Sequence, residues 1–413
     1  MSSVVDALVP ARLGRSFRWL LASSWLSNLG DGIALAAGPL LVASMTDDPF
    51  VVALAALVQW LPPLLLALPA GVLSDRVDRR RLMVVVDLLR AAVLVVLTLS
   101  VASGAVPVAV VLLALFAAAS AEVFEDNTAA TLLPSIVARD DLAVANVRLL
   151  TGFVTVNQLV GPPLGAFLFT LGSFVPFGAQ AALVAFSAVT VSRVVLARRA
   201  GPRPASRVRS DLAEGFRWVF HHAAVRVLVL TIFTFNLTWG AAWSVLVLYA
   251  TQRLGLGPVG YGWIATVSAA GGIVGTLAYG RITRRVSLGD LLRVGLVVET
   301  LTHLALALTT SPAVAFAVFF VFGVHAFVWG TTSLTVRQRA VPEALQGRVG
   351  AVNSVGTYGG LVIGSGVGGL LAQHLGVTAP FFYAFAGSAV FLVLLWPQLR
   401  HVAHADARAE PLP

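Results

Sequence analysis

Asp31 stands alone among small and apolar residues in the first long hydrophobic run, between Gly30 and Gly32 and three positions after Asn28. A charge within hydrocarbon is costly, so an ionisable residue there marks a proton path, an ion path or a substrate site by default. Counted from a helix start near Phe17, Asp31 lies about 14 residues in, or ~21 Å along the axis. At that depth a carboxylate can exchange a proton or draw in a cationic ligand. The plainer alternative is a hydrogen bond that holds a bend at the two glycines.

A second polar group is denser. Glu122, Glu125, Asp126 and Asn127 close the fourth hydrophobic run. Asp87 and Arg90 lie i,i+3 near the start of the third, on neighbouring helix positions. With the arginine-rich loop at residues 71–82, opposite charges gather at one mouth of the protein. Their chemistry is that of a salt-bridge gate, with Glu122, the deepest acid, as a candidate proton carrier beside Asp31. The acids lack the ordered ligand spacing of a metal shell. Asn157 and Gln158 precede Gly161-Pro162-Pro163. Proline in a membrane helix frees backbone groups that neighbours must satisfy, so the two amides serve that need or hydrogen-bond a substrate. Further on, Asn236, Trp239 and Trp243 follow an i, i+3, i+7 spacing, and His325 and Trp329 an i,i+4 spacing. Such aromatic faces suit amphiphilic ligands, although tryptophan near a membrane surface is commonly an anchor. Glu299 and His303, also i,i+4, read as a structural ion pair or as packing against the eighth run rather than as a second proton path.

Long apolar elements must position these residues. Of 413 residues, 58% are hydrophobic and 11% charged, more apolar surface than a soluble domain can hide. Twelve apolar runs, from 17–44 to 379–397, are each about 20 residues or longer, enough to cross a hydrocarbon core of ~30 Å. The first run is too long, and lacks the small-residue cleavage site, for a removable signal peptide. Arginines gather before the first run (Arg12, Arg15, Arg18), in the 71–82 loop, in the polar segment 198–226, and at Arg281, Arg284, Arg285, Arg337, Arg339 and Arg348. The alternate loops are nearly bare. This positive-inside pattern places both termini in the cytoplasm and accounts for the net charge of +9 without nucleic acid. Arginine without lysine fits a high-GC bacterial genome, hence a bacterial plasma membrane. There is no lysine for a phosphate-binding loop, no cysteine, and no nucleophile–base pair, so an enzyme is not expected. Residues 198–226 form a basic linker between two halves, 1–197 and 227–397, followed by a tail, 398–413. Within the linker, Asp211–His222 is amphipathic and is expected to lie along the inner surface, with His221 and His222 interfacial rather than metal-binding. The halves repeat weakly: Arg76-Val-Asp-Arg-Arg80 matches Arg281-Ile-Thr-Arg-Arg285, and Leu133-Pro134 matches Val341-Pro342. A parallel repeat of six spans predicts a carrier with its substrate held between the halves near the midplane.

Gly71, Leu73, Asp75, Arg76, Arg79 and Arg80 resemble the signature loop between the second and third helices of the major facilitator superfamily, with Asp78 in place of the usual glycine. Gly161, Pro162 and Gly165 are similar to the antiporter motif of helix 5. Asn157 and Ala166 depart from that motif. Asp87-Leu-Leu-Arg90 and Leu132-Leu-Pro-Ser-Ile-Val137 resemble the enterobactin-exporter and macrolide-efflux branch. The resemblance implies an all-α membrane protein of twelve helices in two six-helix bundles, without a bound cofactor, working by alternating access on a proton gradient. It implies a monomer among membrane lipids that exports small organic molecules. It also implies a cavity lined by Asn28, Asp31, Asn157, Gln158, Asn236, Trp239, His325 and Trp329. The loop (Gly71, Asp75, Arg76, Arg79, Arg80), with Asp87, Arg90, Glu125 and Asp126, would then gate the cytoplasmic side. Many drug–proton antiporters carry an arginine in helix 4, and residues 106–127 hold none. An importer or uniporter, and a non-transporting sensor or scaffold, remain as alternatives.

Overall fold

The computed structural model describes residues 11–196 and 208–397. Within them every regular element is helical. In chain order they are α1 (Gly14–Met45), α2 (Pro49–Arg76), α3 (Arg79–Ala102), α4 (Val108–Leu132), α5 (Arg139–Leu171), α6 (Val175–Ser192) and α7 (Val208–His221). They continue with α8 (Ala223–Ser244), α9 (Pro258–Ile282), α10 (Leu288–Leu308), α11 (Pro312–Ala340), α12 (Gln346–Leu375) and α13 (Ala379–Leu395). Eleven of these are long and apolar enough to cross a membrane. The last, α13, has 17 residues, or ~26 Å, at the lower limit for a span. Each of the twelve apolar runs falls on one of these helices. Large side chains such as Val96, Leu99, Leu113 and Leu277 point outward and are mostly exposed, as lipid-facing positions require.

The chain divides into two compact units. Among the described residues the first comprises 11–45, 61–196 and 257–266, the second 46–60, 208–256 and 267–397. In the first unit α1 is the spine against which α4, α5 and α6 lie, and α3 packs on α4 and α6. Helix association in lipid gains nothing from the hydrophobic effect and rests on close packing. At one end of α1, Phe17, Leu20 and Leu21 pack with Met83, Leu132 and Val191, all buried. In the second unit α8 runs along α12 and α13, while α10 packs on α11 and α13. Gly271, Gly275 and Gly323 let α9 and α11 meet backbone to backbone. At Gly376, φ is +91°, which ends α12 in a turn that suits glycine.

Asp78 has a definite task. Its side chain accepts the Arg81 backbone N–H at 2.9 Å and caps α3. Capping by Asp is worth about 1 kcal/mol. Asp78→Ala is therefore expected to lower stability by about that amount and Asp78→Asn by far less. Chemical or thermal unfolding of the purified protein checks both.

The amphipathic stretch forms α7, which ends at His221. Its Glu214 pairs with Arg348 at 2.9 Å, and Val219 packs with Val225, Val349 and Val352. His222 lies beyond the helix. It stacks on Trp218 with ring centroids 4.7 Å apart, and its Nδ1 accepts the Val225 N–H at 3.4 Å to cap α8. Partial burial holds the His222 imidazole below its usual range. The neutral form is therefore the one the fold prefers. Its contribution is complete above the unfolded pKa of about 6.5 and is lost as pH falls toward the depressed folded value. On acidification from about pH 7.5 to 5 the protection of the Val225 amide, taken against its intrinsic exchange rate at each pH, should fall, and His222→Asn should remove that loss of protection.

Candidate functional site

Ser23, Ser27 and Asp31 recur every fourth residue on α1 and form a polar stripe one above the other. All three are buried. The stripe faces Arg90 of α3, which is 1% exposed and has the largest fully buried side chain described. Arg90 is eleven residues from the start of α3, roughly 17 Å along the axis, so its charge lies well inside the helix bundle. Its Nη2 pairs with Asp31 Oδ1 and with Glu122 Oε2 at 3.5 Å. Its Nη1 reaches Glu125 Oε2 at 3.4 Å and Ser27 Oγ at 3.3 Å. Ser27 in turn donates to Glu125 Oε2 at 2.7 Å. Glu122 and Glu125, i,i+3 on α4, thus share the guanidinium with Asp31 of α1. One planar fork of donors holds three carboxylates from two helices, a task an ammonium point charge performs poorly.

A fourth acid lies one turn away. Asp87 is fully buried and accepts from Ser187 of α6 at 2.9 Å. Ser187 also contacts Ser23 at 2.7 Å. With Asp87 ionised, Ser187 spends its single proton on it, so Ser23 is the donor of that second bond. Gln180 of α6, also buried, rests on Gly30 beside Asp31. Asp126 is exposed, and Asn28 is bonded within its own helix, to Ser24 O at 2.8 Å.

The arginine loop is a separate site. Arg79 pairs with Asp75 at 3.2 Å and donates to the Thr131 carbonyl at 3.1 Å, near the end of α4. Arg80 donates to the Val194 carbonyl at 3.3 Å, just past the end of α6. Cations at helix C-termini satisfy free carbonyls and the helix dipole together. Arg76 is exposed, and a Cβ on Gly71 would meet nothing within 4 Å.

Helices α1 and α5 touch at their backbones. A Cβ on Gly32 would lie 2.9 Å from Asn157 Cα, and one on Gly161 would lie 2.6 Å from Gly32 C. One on Gly165 would lie 2.8 Å from the Ile33 carbonyl carbon. Just before Gly161 the helix widens into a π-helical stretch, Phe153–Val160, which turns Asn157 into the interior. Gln158 is half-buried. Wide turns of this kind recur at functional positions in helices.

In the second unit Trp239 stacks on Phe322 with centroids 4.0 Å apart, and Phe235 stacks on Trp329 at 6.0 Å. Asn236 is bonded to its own helix at Ile232 O, 2.7 Å away. Trp239 also tilts against Trp243. Behind these rings lies the Glu299–His303 pair, at 2.9 Å. This is the ion pair that the i,i+4 spacing led one to expect. The pair faces His325 of α11 and Trp239 of α8, because α10 packs on α11 and α13.

Sequence reasoning kept Asp31 apart from the group of Glu122, Glu125, Asp126, Asp87 and Arg90, and the structure brings all but Asp126 into one cluster with it. The signal available was the serine stripe, which continues Asp31 along a single face. His325 joining Glu299 had no counterpart in the sequence pattern.

The sequence pattern of the family described as transmembrane secretion effector matches residues 6–411. The multidrug efflux pump Tap of Mycolicibacterium fortuitum is 27% identical over 397 residues, covering 92% of each chain. A bacterial homologue of the iron transporter ferroportin, in an inward-facing state, superposes with TM-score 0.73 and 19% identity, covering 94% of this chain and 98% of that one. A peptide transporter of the POT type gives TM-score 0.76 at 12% identity, covering 98% and 99%.

Proposed function

Because the chain belongs to the transmembrane secretion effector family of the major facilitator superfamily, and so is a membrane transporter and not an enzyme, we propose that it expels small amphiphilic organic molecules by alternating access, driven by inward proton movement. Drugs, antibiotics and siderophore-like metabolites fit that description. The similarity to a multidrug efflux pump along 92% of the chain supports the direction and the substrate class. In this reading the halves 1–197 and 227–397 move about the 198–226 linker, and the 71–82 loop latches their cytoplasmic side. The protein acts as a monomer in the bacterial plasma membrane with both termini inside. The Asn236, Trp239, His325 and Trp329 faces receive the substrate's apolar body.

The charge balance around Arg90 carries the coupling. One guanidinium faces Asp31, Glu122 and Glu125, and surplus charge away from water is expensive. A proton on Asp31 or Glu122 relieves the surplus. Its release restores it, and a few kcal/mol of difference between states is enough to shift their populations.

Everted vesicles acidified by respiration test this. Adding amphiphilic antibiotics or cationic dyes should collapse the gradient with the wild type, and Asp31→Asn should cut that response at least about tenfold, ~1.4 kcal/mol in the barrier. If labelled compound moves while the gradient holds in both, coupling at Asp31 is wrong and a uniporter takes its place.

A further inference from the structure

The second unit holds a buried ionisable cluster that the Arg90 site does not use. Glu299 is 1% exposed, His303 0% and His325 8%. Glu299 Oε1 lies 2.9 Å from His303 Nε2, and Glu299 Oε2 lies 3.5 Å from His325 Nε2. Glu299 Oε2, His303 Nδ1 and His325 Nε2 are all buried without a hydrogen-bond partner. An ionised carboxylate only accepts, so His303 carries its proton on Nε2. With both imidazoles neutral the cluster bears one uncompensated negative charge among aromatic rings. A single added proton changes this. Placed on His325 Nε2 it turns the 3.5 Å contact into a charge-assisted hydrogen bond and brings the net charge to zero.

The site is built around these groups. Gly295 leaves room for the His325 ring, since a Cβ there would stand 3.1 Å from His325 Nδ1. The Trp239 ring lies tilted 6.4 Å from His303, and Phe322 and His325 make a T-shaped contact at 6.0 Å. From α8 the facing group is Trp239, from α11 it is His325, and α13 has Tyr383 as its only ionisable side chain, with no hydrogen bond to the cluster among the described residues. On α10 itself, Asp290 and Arg293 pair with each other at 3.0 Å.

We propose that Glu299, His303 and His325 form a second proton-binding site, independent of the cluster at Arg90 and of any coupling there. The full-length protein, labelled with 15N-histidine in detergent micelles, tests it by NMR from about pH 5 to 9, where imidazoles exchange charge. Of its seven histidines, His303 and His325 are assigned by the signals lost in His303→Gln and His325→Gln. One of the two should pass between neutral and imidazolium signatures, and Glu299→Gln should weaken that proton binding about tenfold, one pH unit. If both rings keep one signature throughout, in the wild type alone should Glu299→Gln not fold, the proposal is overturned. The same holds if a ring titrates unaffected by Glu299→Gln. Because the readout is protonation and not transport, it stands or falls separately from the Asp31 vesicle result.

Discussion

Arg90→Met should destabilise the folded protein by about 3–5 kcal/mol, the usual cost of removing one partner from a buried ion cluster. The cost arises from what is left behind. Asp31 and Glu125 remain buried with no cation, and Ser27 is the one hydroxyl left to serve Glu125. If that is the cause, removing the stranded charges must restore the fold. The triple variant Arg90→Met, Asp31→Asn, Glu125→Gln is expected to recover most of the lost stability, since neutral groups of similar shape replace a buried ionic network at little cost. Arg90→Lys should fall between, because one ammonium cannot reach carboxylates from two helices through a planar fork. Thermal unfolding of the purified proteins in detergent measures all three. A wild-type melting point for Arg90→Met would mean that the carboxylates are already neutralised without the guanidinium.

Gly165→Val should be nearly as damaging, for a steric reason. Its new Cβ would be driven into the Ile33 carbonyl, which belongs to the backbone of α1 and cannot swing aside. Overpacking of this sort costs about 1–3 kcal/mol and more where backbone must shift. Separating α1 from α5 also displaces Asp31, two residues from Ile33, so uphill efflux should be lost even in the protein that folds. Gly71→Ala is the control. Open space surrounds that position, and its stability should stay within about 0.5 kcal/mol of the wild type. Vesicle transport by Gly165→Val checks the loss of efflux, and expression level and melting point for the two variants separate the packing effect from any general intolerance of glycine replacement.

Much of this was legible in the amino-acid order. Length and apolarity of the runs imply membrane helices because lipid leaves the backbone no other way to satisfy its hydrogen bonds. Asp31, the 71–82 loop and Gly161-Pro162-Pro163 were visible because each departs from its surroundings in type. Asp78 is a partial case. The sequence marks it as a departure from the superfamily loop, and only the φ of −66°, ψ of 112° and the bond to Arg81 identify it as a helix cap. Which charge meets which was decided by tertiary structure. Asp87 and Arg90 look like mouth residues from their distance to the arginine loop. Their burial depends on how α3 is rotated about its axis, and that rotation is set by side-chain packing on α4 and α6 rather than by periodicity within α3. Glu299 and His303 form an obvious pair on one helix, while His325 is 22 positions beyond His303 and joins them only because α10 and α11 pack face to face. Sequence alone determined the spans, their number and the presence of costly charges within them. Pairing of those charges, one arginine against three acids in one unit and one acid between two histidines in the other, required the rotation and register of neighbouring helices, which no single helix encodes.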